Sequence, residues 1–206
     1  MLDSIVASGP WIPVLLWIAL YVSDFWLTLR CARLYQEVIR EHLEFEGSFE
    51  LTPYFEKDVD ELRVRSPRFL RAVALSSLML VCIWYLAWYL GVLEIFSLAF
   101  GAMTLLEGAV HVRHLRNLSL FGHAAREGGL EGKILYRRWL LMMNSSRELF
   151  AFMLLFGVLA LLLDSFFLLG GALACLSTGL KHHRMGQVLR KNGNEHPEPA
   201  QKGAGG

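Results

Sequence analysis

The chain has 206 residues, of which 54% are hydrophobic and 12% aromatic, and its formal net charge is +1. This composition is too apolar for an ordinary soluble domain of this length, and the balanced charge gives no indication of a nucleic-acid partner. The three cysteines, Cys31, Cys82 and Cys175, are widely spaced, which argues against a disulfide framework and against a thiolate metal site.

The first predicted element is a transmembrane helix over about residues 11–29. Its length, roughly 28 Å at helical rise, matches a hydrocarbon core of about 30 Å. The helical spacing of apolar residues continues to Val38, so we expect the helix to project beyond the membrane. Glu46-Gly47-Ser48 then predicts a turn, and Thr52-Pro53 predicts the start of a short amphipathic helix in the first cytoplasmic loop.

The next two spans are predicted to form an antiparallel hairpin. Ser66-Pro67 is a helix-start signal immediately before the apolar run at 69–90. Gly91 leaves room for only a tight turn before the run at 93–110, whose helix we expect to continue to Leu120. The two spans therefore form an antiparallel pair.

A second hairpin is predicted near the C-terminus. A helical stretch from Ile134 leads into a span at 149–163, and Asp164 is placed to cap a last span at 166–180, which is near the lower length limit for crossing. Small residues predict that this last span packs closely against another helix: Gly170, Gly171, Ala172, Ala174, Ser177 and Gly179. We expect the helix to end at the polar run 181–184, with residues 1–192 forming one bundle and 193–206 a disordered tail.

The basic residues predict the orientation. All twenty Lys and Arg residues fall into three blocks, 30–71, 113–147 and 181–202, separated by apolar runs. Basic residues that flank a span are retained on the cytoplasmic side. We therefore predict an all-α integral membrane protein of a prokaryotic cytoplasmic (inner) membrane, with five transmembrane helices, its N-terminus outside and its C-terminus inside.

Ionisable residues inside the spans are the best indication of a site, because they are costly in lipid. Asp24 and Glu107 lie about 20 Å and 21 Å from the outer starts of their spans at helical rise, in the inner third of the bilayer. Glu107, His111 and His114 are spaced four and then three residues apart, so they share one stripe of a helix.

Three explanations of this group remain open. The first is a buried network of ion pairs and hydrogen bonds, formed by Asp24, Arg30, Glu107, His111, Asn144, Arg147 and Glu148. The second is a divalent-metal site formed by Glu107, His111 and His114, with Asp24 as a further ligand. The third is a proton or cation path through Asp24, Glu107 and His111. No catalytic residue is predicted, because the chain has neither a phosphate-binding glycine loop nor a nucleophile elbow.

The first cytoplasmic loop predicts two kinds of partner. Nine acidic residues lie between residues 37 and 61, either as a solvated surface or as a docking surface for a protein partner. Four arginines that follow are expected to contact anionic lipid head groups: Arg63, Arg65, Arg68 and Arg71.

Three stretches, 23–28, 45–54 and 107–117, resemble segments of a family of small prokaryotic polytopic membrane proteins to which no activity is assigned. The resemblance covers most of residues 20–185 and implies no role for any residue. It does select the first positions to test: Asp24, Glu50, Pro53, Glu107, His111, His114 and Asn117.

The functional prediction is an integral membrane protein that acts as a structural or accessory component and binds a partner at its cytoplasmic face. Two alternatives come from other classes. One is a small cation- or proton-coupled transporter that uses Asp24, Glu107 and His111, and the other is a metal-dependent membrane enzyme.

Overall fold

The computed structural model describes residues 6–195, and most of them are helical. In chain order the elements are α1 (Trp11–Glu37), a 3-10 turn (Ile39–Glu41), β1 (Leu43–Phe45), α2 (Glu56–Asp60), α3 (Pro67–Leu90), α4 (Leu93–Glu127), β2 (Ile134–Tyr136), α5 (Arg138–Leu163) and α6 (Phe166–Glu195). Residues 196–206 of the predicted tail lie outside the described residues, whereas 193–195 continue α6.

Four helices, α1, α3, α4 and α5, are long and apolar enough to cross a membrane. Many of their large apolar side chains point outward, and Tyr89, Leu161 and Leu162 are 80%, 86% and 73% exposed. Exposed apolar surface on this scale indicates a membrane protein, because a protein with so large an apolar surface would aggregate in water. The predicted fifth span begins α6, which is not among these four helices. Its apolar run leads directly into the polar run 181–184, and the helix continues through that run, where we expected it to end.

The helix starts predicted at the two hairpins had different outcomes. The Ser66 hydroxyl accepts the Phe69 amide at 3.1 Å with Pro67 in the first turn, which confirms the predicted start of α3. At the second hairpin the prediction for Asp164 was wrong. Asp164 adopts a left-handed φ of 47° and ends α5, while the Ser165 hydroxyl accepts the Leu168 amide at 3.4 Å and caps α6. Asp164 does not cap α6, because its own backbone forms the left-handed turn between α5 and α6.

Helix α6 packs along α4 and α5 through small residues. A Cβ atom on Gly170 would overlap the carbonyl oxygen of Leu98, and one on Gly101 would overlap the carbonyl oxygen of Phe167. The two backbones are therefore in direct contact, which confirms the close approach predicted for this helix.

A parallel pairing of β1 with β2 joins the two long loops. Leu43 lies opposite Ile134, and Phe45 lies opposite Tyr136. The helical stretch predicted from Ile134 was wrong: residues 134–136 pair as a strand, and the helix begins only at Arg138. In the first loop the helix expected from Thr52-Pro53 is a single five-residue element, α2.

Apolar clusters lie at both ends of the bundle. The one nearest the hairpin turns contains Trp17, Leu80, Trp84, Phe96 and Phe100. The one beneath the loops contains Tyr35, Ile39 and Phe121, with Phe45 and Phe49 packed against them. The second cluster fixes the first loop across the loop end of the bundle.

Candidate metal centre

Three potential metal ligands from two helices meet inside the bundle. Asp24 lies on α1, and Glu107 and His111 lie one helical turn apart on α4. One ligand atom from each lies within 4.8 Å of the other two. The carboxyl oxygens Asp24 Oδ1 and Glu107 Oε1 are both buried, and no donor group within residues 6–195 gives either of them a hydrogen bond. The two carboxyl groups are close enough to be hydrogen-bonded to each other, which requires one of them to be protonated. Two adjoining buried carboxylates repel each other when both are charged, so this group is suited to hold either a shared proton or a cation.

The imidazole of His111 is held on two sides. Its Nε2 atom lies 2.7 Å from the Ser23 hydroxyl, and its Nδ1 atom lies 2.9 Å from the Glu107 carbonyl oxygen. The Nδ1 atom is also 3.7 Å from Asp24 Oδ1, so this edge of the ring faces the carboxylates. A metal bound at Nδ1 would replace the contact with the carbonyl and leave Ser23 to orient the ring, as outer partners do for metal-bound histidines.

His114 is buried next to the three ligands. Its Nε2 atom lies 3.1 Å from the Thr28 hydroxyl and 3.5 Å from Asp24 Oδ1, and its Nδ1 atom is buried with no hydrogen-bond partner among the described residues. It therefore contacts Asp24 as a neighbour and is not one of the three converging ligands.

Asp24 and His114 border a cavity of about 790 Å³ that is large enough for a small molecule. Its ionisable lining comprises Asp24, Glu50, Glu107, Glu148, Arg113, Arg116, His114 and His182. The lining therefore has two more carboxyl groups than guanidinium groups. Carboxyl groups that are buried without a counter-charge are either protonated or balanced by a cation, and one divalent cation would balance two of them.

Both guanidinium groups bind the same carboxylate. Arg113 Nε donates to Glu148 Oε2 at 2.6 Å, and Arg116 Nη1 donates to Glu148 Oε1 at 3.1 Å. The two arginines thus hold α4 against α5 through Glu148. A second nitrogen of Arg113, Nη2, is buried and without a partner among residues 6–195.

The first loop covers the cavity. Phe45, Phe49 and Phe55 line it together with Glu50, whose Oε1 accepts the Thr52 amide at 2.7 Å. Burial raises the pKa of the Glu50 carboxyl above its ordinary value, despite the opposing hydrogen bond from Thr52. Of the positions selected by the resemblance, Asn117 also lines the cavity.

The other residues of the predicted network are dispersed. Arg30 is exposed on the opposite face of α1, and Arg147 is exposed on α5. Asn144 lines the cavity but donates to the Tyr136 hydroxyl at 2.6 Å. Two residues that the sequence reasoning left out of the network contact the histidines of the site: Ser23 contacts His111, and Thr28 contacts His114. Thr28 lies four residues after Asp24, so helical periodicity was a usable signal for it.

Most acidic side chains of the first loop bind partners within the chain. Glu44 lies 2.8 Å from Lys133, Glu46 accepts the Arg138 amide at 2.9 Å, and Glu56 accepts the Arg138 side chain at 2.9 Å. The ammonium group of Lys133 lowers the pKa of Glu44. These carboxylates serve to fasten the two loops together, and docking of a protein partner at residues 37–61 stays a prediction.

The four arginines predicted to contact lipid also differ in their surroundings. Arg63 binds Asp58 and Glu61, and Arg68 stacks over the Tyr54 ring at 5.9 Å from its centroid. Arg71 Nε donates to the Pro67 carbonyl oxygen at 3.3 Å, and Arg65 is exposed.

No known family model, curated protein or solved structure matches this chain. The function therefore has to be argued from the site itself.

Proposed function

We propose that this is an integral protein of a prokaryotic cytoplasmic membrane that binds one divalent cation at Asp24, Glu107 and His111. The observation that carries the proposal is the convergence of the three ligands, two of which are adjoining buried carboxyl groups that receive no hydrogen bond from a donor group in the described chain. The adjoining cavity has two more carboxyl groups than guanidinium groups, and a dication would neutralise two of these carboxyl groups when they are ionised.

The ligand set indicates the class of ion. Carboxylates favour hard cations such as Mn²⁺, and imidazole favours Zn²⁺ or Fe²⁺, so a mixed site selects this borderline group. Three protein ligands leave coordination positions open, as in catalytic and transport sites, whereas structural zinc sites use four. The cation site is common to the transporter and the metal-enzyme hypotheses, and the proposal is limited to it.

The membrane arrangement that we propose has five spans, with the start of α6 as the fifth, the N-terminus outside and the C-terminus inside. The contacts between the basic blocks support it. Lys133 and Arg138 from the second block bind Glu44 and Glu56, which lie within the first block, so these two blocks lie on one side. The Asp164 turn sends α6 back along α5 toward that side. A periplasmic reporter fused near Lys133 should be inactive, and activity there would overturn the orientation.

The cation proposal is tested with the full chain purified in detergent, dialysed against Zn²⁺ or Mn²⁺, and analysed for bound metal by mass spectrometry. We expect about one ion per chain, and a loss of at least about 100-fold in affinity for Asp24→Asn, Glu107→Gln and His111→Ala, because each removes a direct ligand.

Matched controls lie on the same helix. His123 is exposed, and its Nδ1 atom lies 2.8 Å from the Ser119 carbonyl oxygen, the same one-turn contact that His111 makes. Glu94 is an exposed carboxylate near the start of α4. His123→Ala and Glu94→Gln should bind metal like the wild type. Failure of the wild-type protein to bind any ion, or equal binding by all five variants, would refute the site.

A further inference from the structure

A second cavity, of about 810 Å³, lies on the face of α1 opposite the metal ligands. Its wall is largely apolar and comes from α1 and from the segment after α2: Val22, Trp26, Leu29, Leu34, Leu62 and Val64. Trp26 is 57% exposed and Val64 is 49% exposed, so the groove is an open furrow on the outside of the bundle.

Two unpaired cations stand at one end of this groove. Arg30 and Arg33 are both exposed, both line the groove, and neither forms a salt bridge within residues 6–195. Glu37, one turn after Arg33, also lines this end of the groove, so its net charge is one positive. They differ in this from Arg63, which Asp58 and Glu61 neutralise. Two guanidinium groups one turn apart are suited to bind a phosphate, since each presents a fork of N–H donors.

The depth of the groove indicates what kind of molecule carries that phosphate. Nineteen residues separate Trp11 from Arg30, about 28 Å at helical rise, which is close to the hydrocarbon thickness of about 30 Å. If Trp11 marks the outer boundary, Arg30 and Arg33 lie at the level of the inner head groups. Val22 and Trp26 then lie within the hydrocarbon. An apolar groove that ends in two guanidinium groups and a net positive charge at head-group depth matches an anionic phospholipid.

We propose that this groove binds one anionic phospholipid of the inner leaflet, with its phosphate between Arg30 and Arg33 and an acyl chain along Val22 and Trp26. The inference rests on the membrane placement proposed above and is independent of the cation site. It moves the principal lipid contact from the four arginines after α2 to two arginines of α1.

The test uses the full chain in a non-ionic detergent and native mass spectrometry, with phosphatidylglycerol and phosphatidylcholine of the same acyl chains as probes. We expect one phosphatidylglycerol to be retained in preference to phosphatidylcholine. Each guanidinium near the membrane surface contributes about tenfold or less to such binding, so the double variant Arg30→Gln with Arg33→Gln should lose about 10-fold to 30-fold in affinity.

The control carries the same change of charge elsewhere. Arg40 and Arg126 are exposed and lie away from the groove, so Arg40→Gln with Arg126→Gln should retain the lipid. Equal losses in the two double variants, or equal retention of phosphatidylcholine, would overturn the proposal. Displacement of the lipid by millimolar inorganic phosphate would also overturn it, because the site would then take a soluble anion.

Two further measurements keep the result interpretable. Thermal melting in lipid-free detergent should be the same for both double variants, and each single substitution, Arg30→Gln or Arg33→Gln, should show part of the loss. Metal content measured on the same samples should be unchanged, so that failure of the lipid site is distinguished from failure of the cation site.

Discussion

Substitution of Gly170 by alanine should separate two helices that are now in contact through their backbones. A Cβ atom at this position would lie 2.8 Å from the carbonyl carbon of Leu98 and 2.9 Å from the amide nitrogen of Ala102. Ordinary contacts between such atoms are about 3.5 to 4.0 Å, so α4 and α6 must move apart by roughly 1 Å. No side-chain rotation can relieve the overlap, because the obstructing atoms belong to the backbone.

The cost follows from that displacement. A gap of about 0.5 to 1 Å removes a quarter to a half of the dispersion energy of each contact along the interface, and overpacking of this kind typically costs about 1 to 3 kcal/mol. We expect about 2 to 3 kcal/mol for Gly170→Ala, at the upper end of that range, together with a fall of several degrees in the melting temperature.

The assay uses the cysteines of the chain. Cys31 and Cys175 are fully buried, so a thiol-reactive fluorophore labels these two thiols only when the protein unfolds. Gly108→Ala is the matched control, because a Cβ atom on Gly108 would meet nothing within 4 Å, and alanine favours a helix by up to about 1 kcal/mol. The packing argument fails if Gly170→Ala melts at or above the temperature of Gly108→Ala.

Two further substitutions test the loop end of the bundle. Ser66→Ala removes the cap of α3 and a 2.5 Å hydrogen bond to buried Asp58. We expect a loss of about 1 to 2 kcal/mol of stability in the same melting assay. Ser119→Ala, on an exposed part of α4, is the control. Glu50→Gln tests the pH dependence of stability. The pKa of the Glu50 carboxyl is raised in the folded protein, so folding favours its protonated form. The contribution of Glu50 to stability is therefore most favourable below the ordinary pKa of about 4.3, and it is lost as the pH rises through the pKa of the folded state. The variant should therefore be more stable than the wild type at pH 7 and lose that advantage near pH 4, and identical pH profiles would show that Glu50 is solvated.

Local signals predicted the helices well but not the pairing of the loops. Apolar runs and the Ser66-Pro67 start are encoded within a few consecutive residues, so α1 and α3 could be read directly. The strand at 134–136 depends on residues 43–45, about ninety positions away, and no local pattern reports such a pairing. Its apolar residues were consistent with a helix as well, and the long-range partner decided the outcome.

The sequence predicted the heights of the site residues along their helices but not the helix faces on which they lie. Helical rise placed Asp24, Glu107 and Arg30 at similar heights, and this led us to expect a common network. Rotation separates them, because Arg30 follows Asp24 by six residues, or about 600°, which is two-thirds of a turn beyond a full one. Thr28 follows by four residues, or about 400°, and returns to the same face, where it contacts His114. Height comes from counting residues, whereas direction also requires knowledge of which face meets the neighbouring helix.

The excess of carboxylate over guanidinium in the main cavity can be balanced in two ways, and the difference is measurable. If Asp24 and Glu107 hold a metal ion, both must be deprotonated when it binds, and binding releases any proton that they share. If instead they form part of a proton path, they keep a shared proton whether or not a metal is added.

If the metal hypothesis is right, addition of Zn²⁺ to the detergent-purified protein in a weak buffer with a pH indicator should release protons in proportion to the metal bound. The metal affinity should also fall as the pH is lowered. Glu107→Gln removes one of the two carboxylates and should abolish both effects. Release of protons that persists in Glu107→Gln would place the responsible groups elsewhere. Stoichiometric binding without any release would mean that both carboxylates are already charged and that His111 is already neutral, because an imidazolium 3.7 Å from Asp24 would itself have to lose a proton before it could bind the ion.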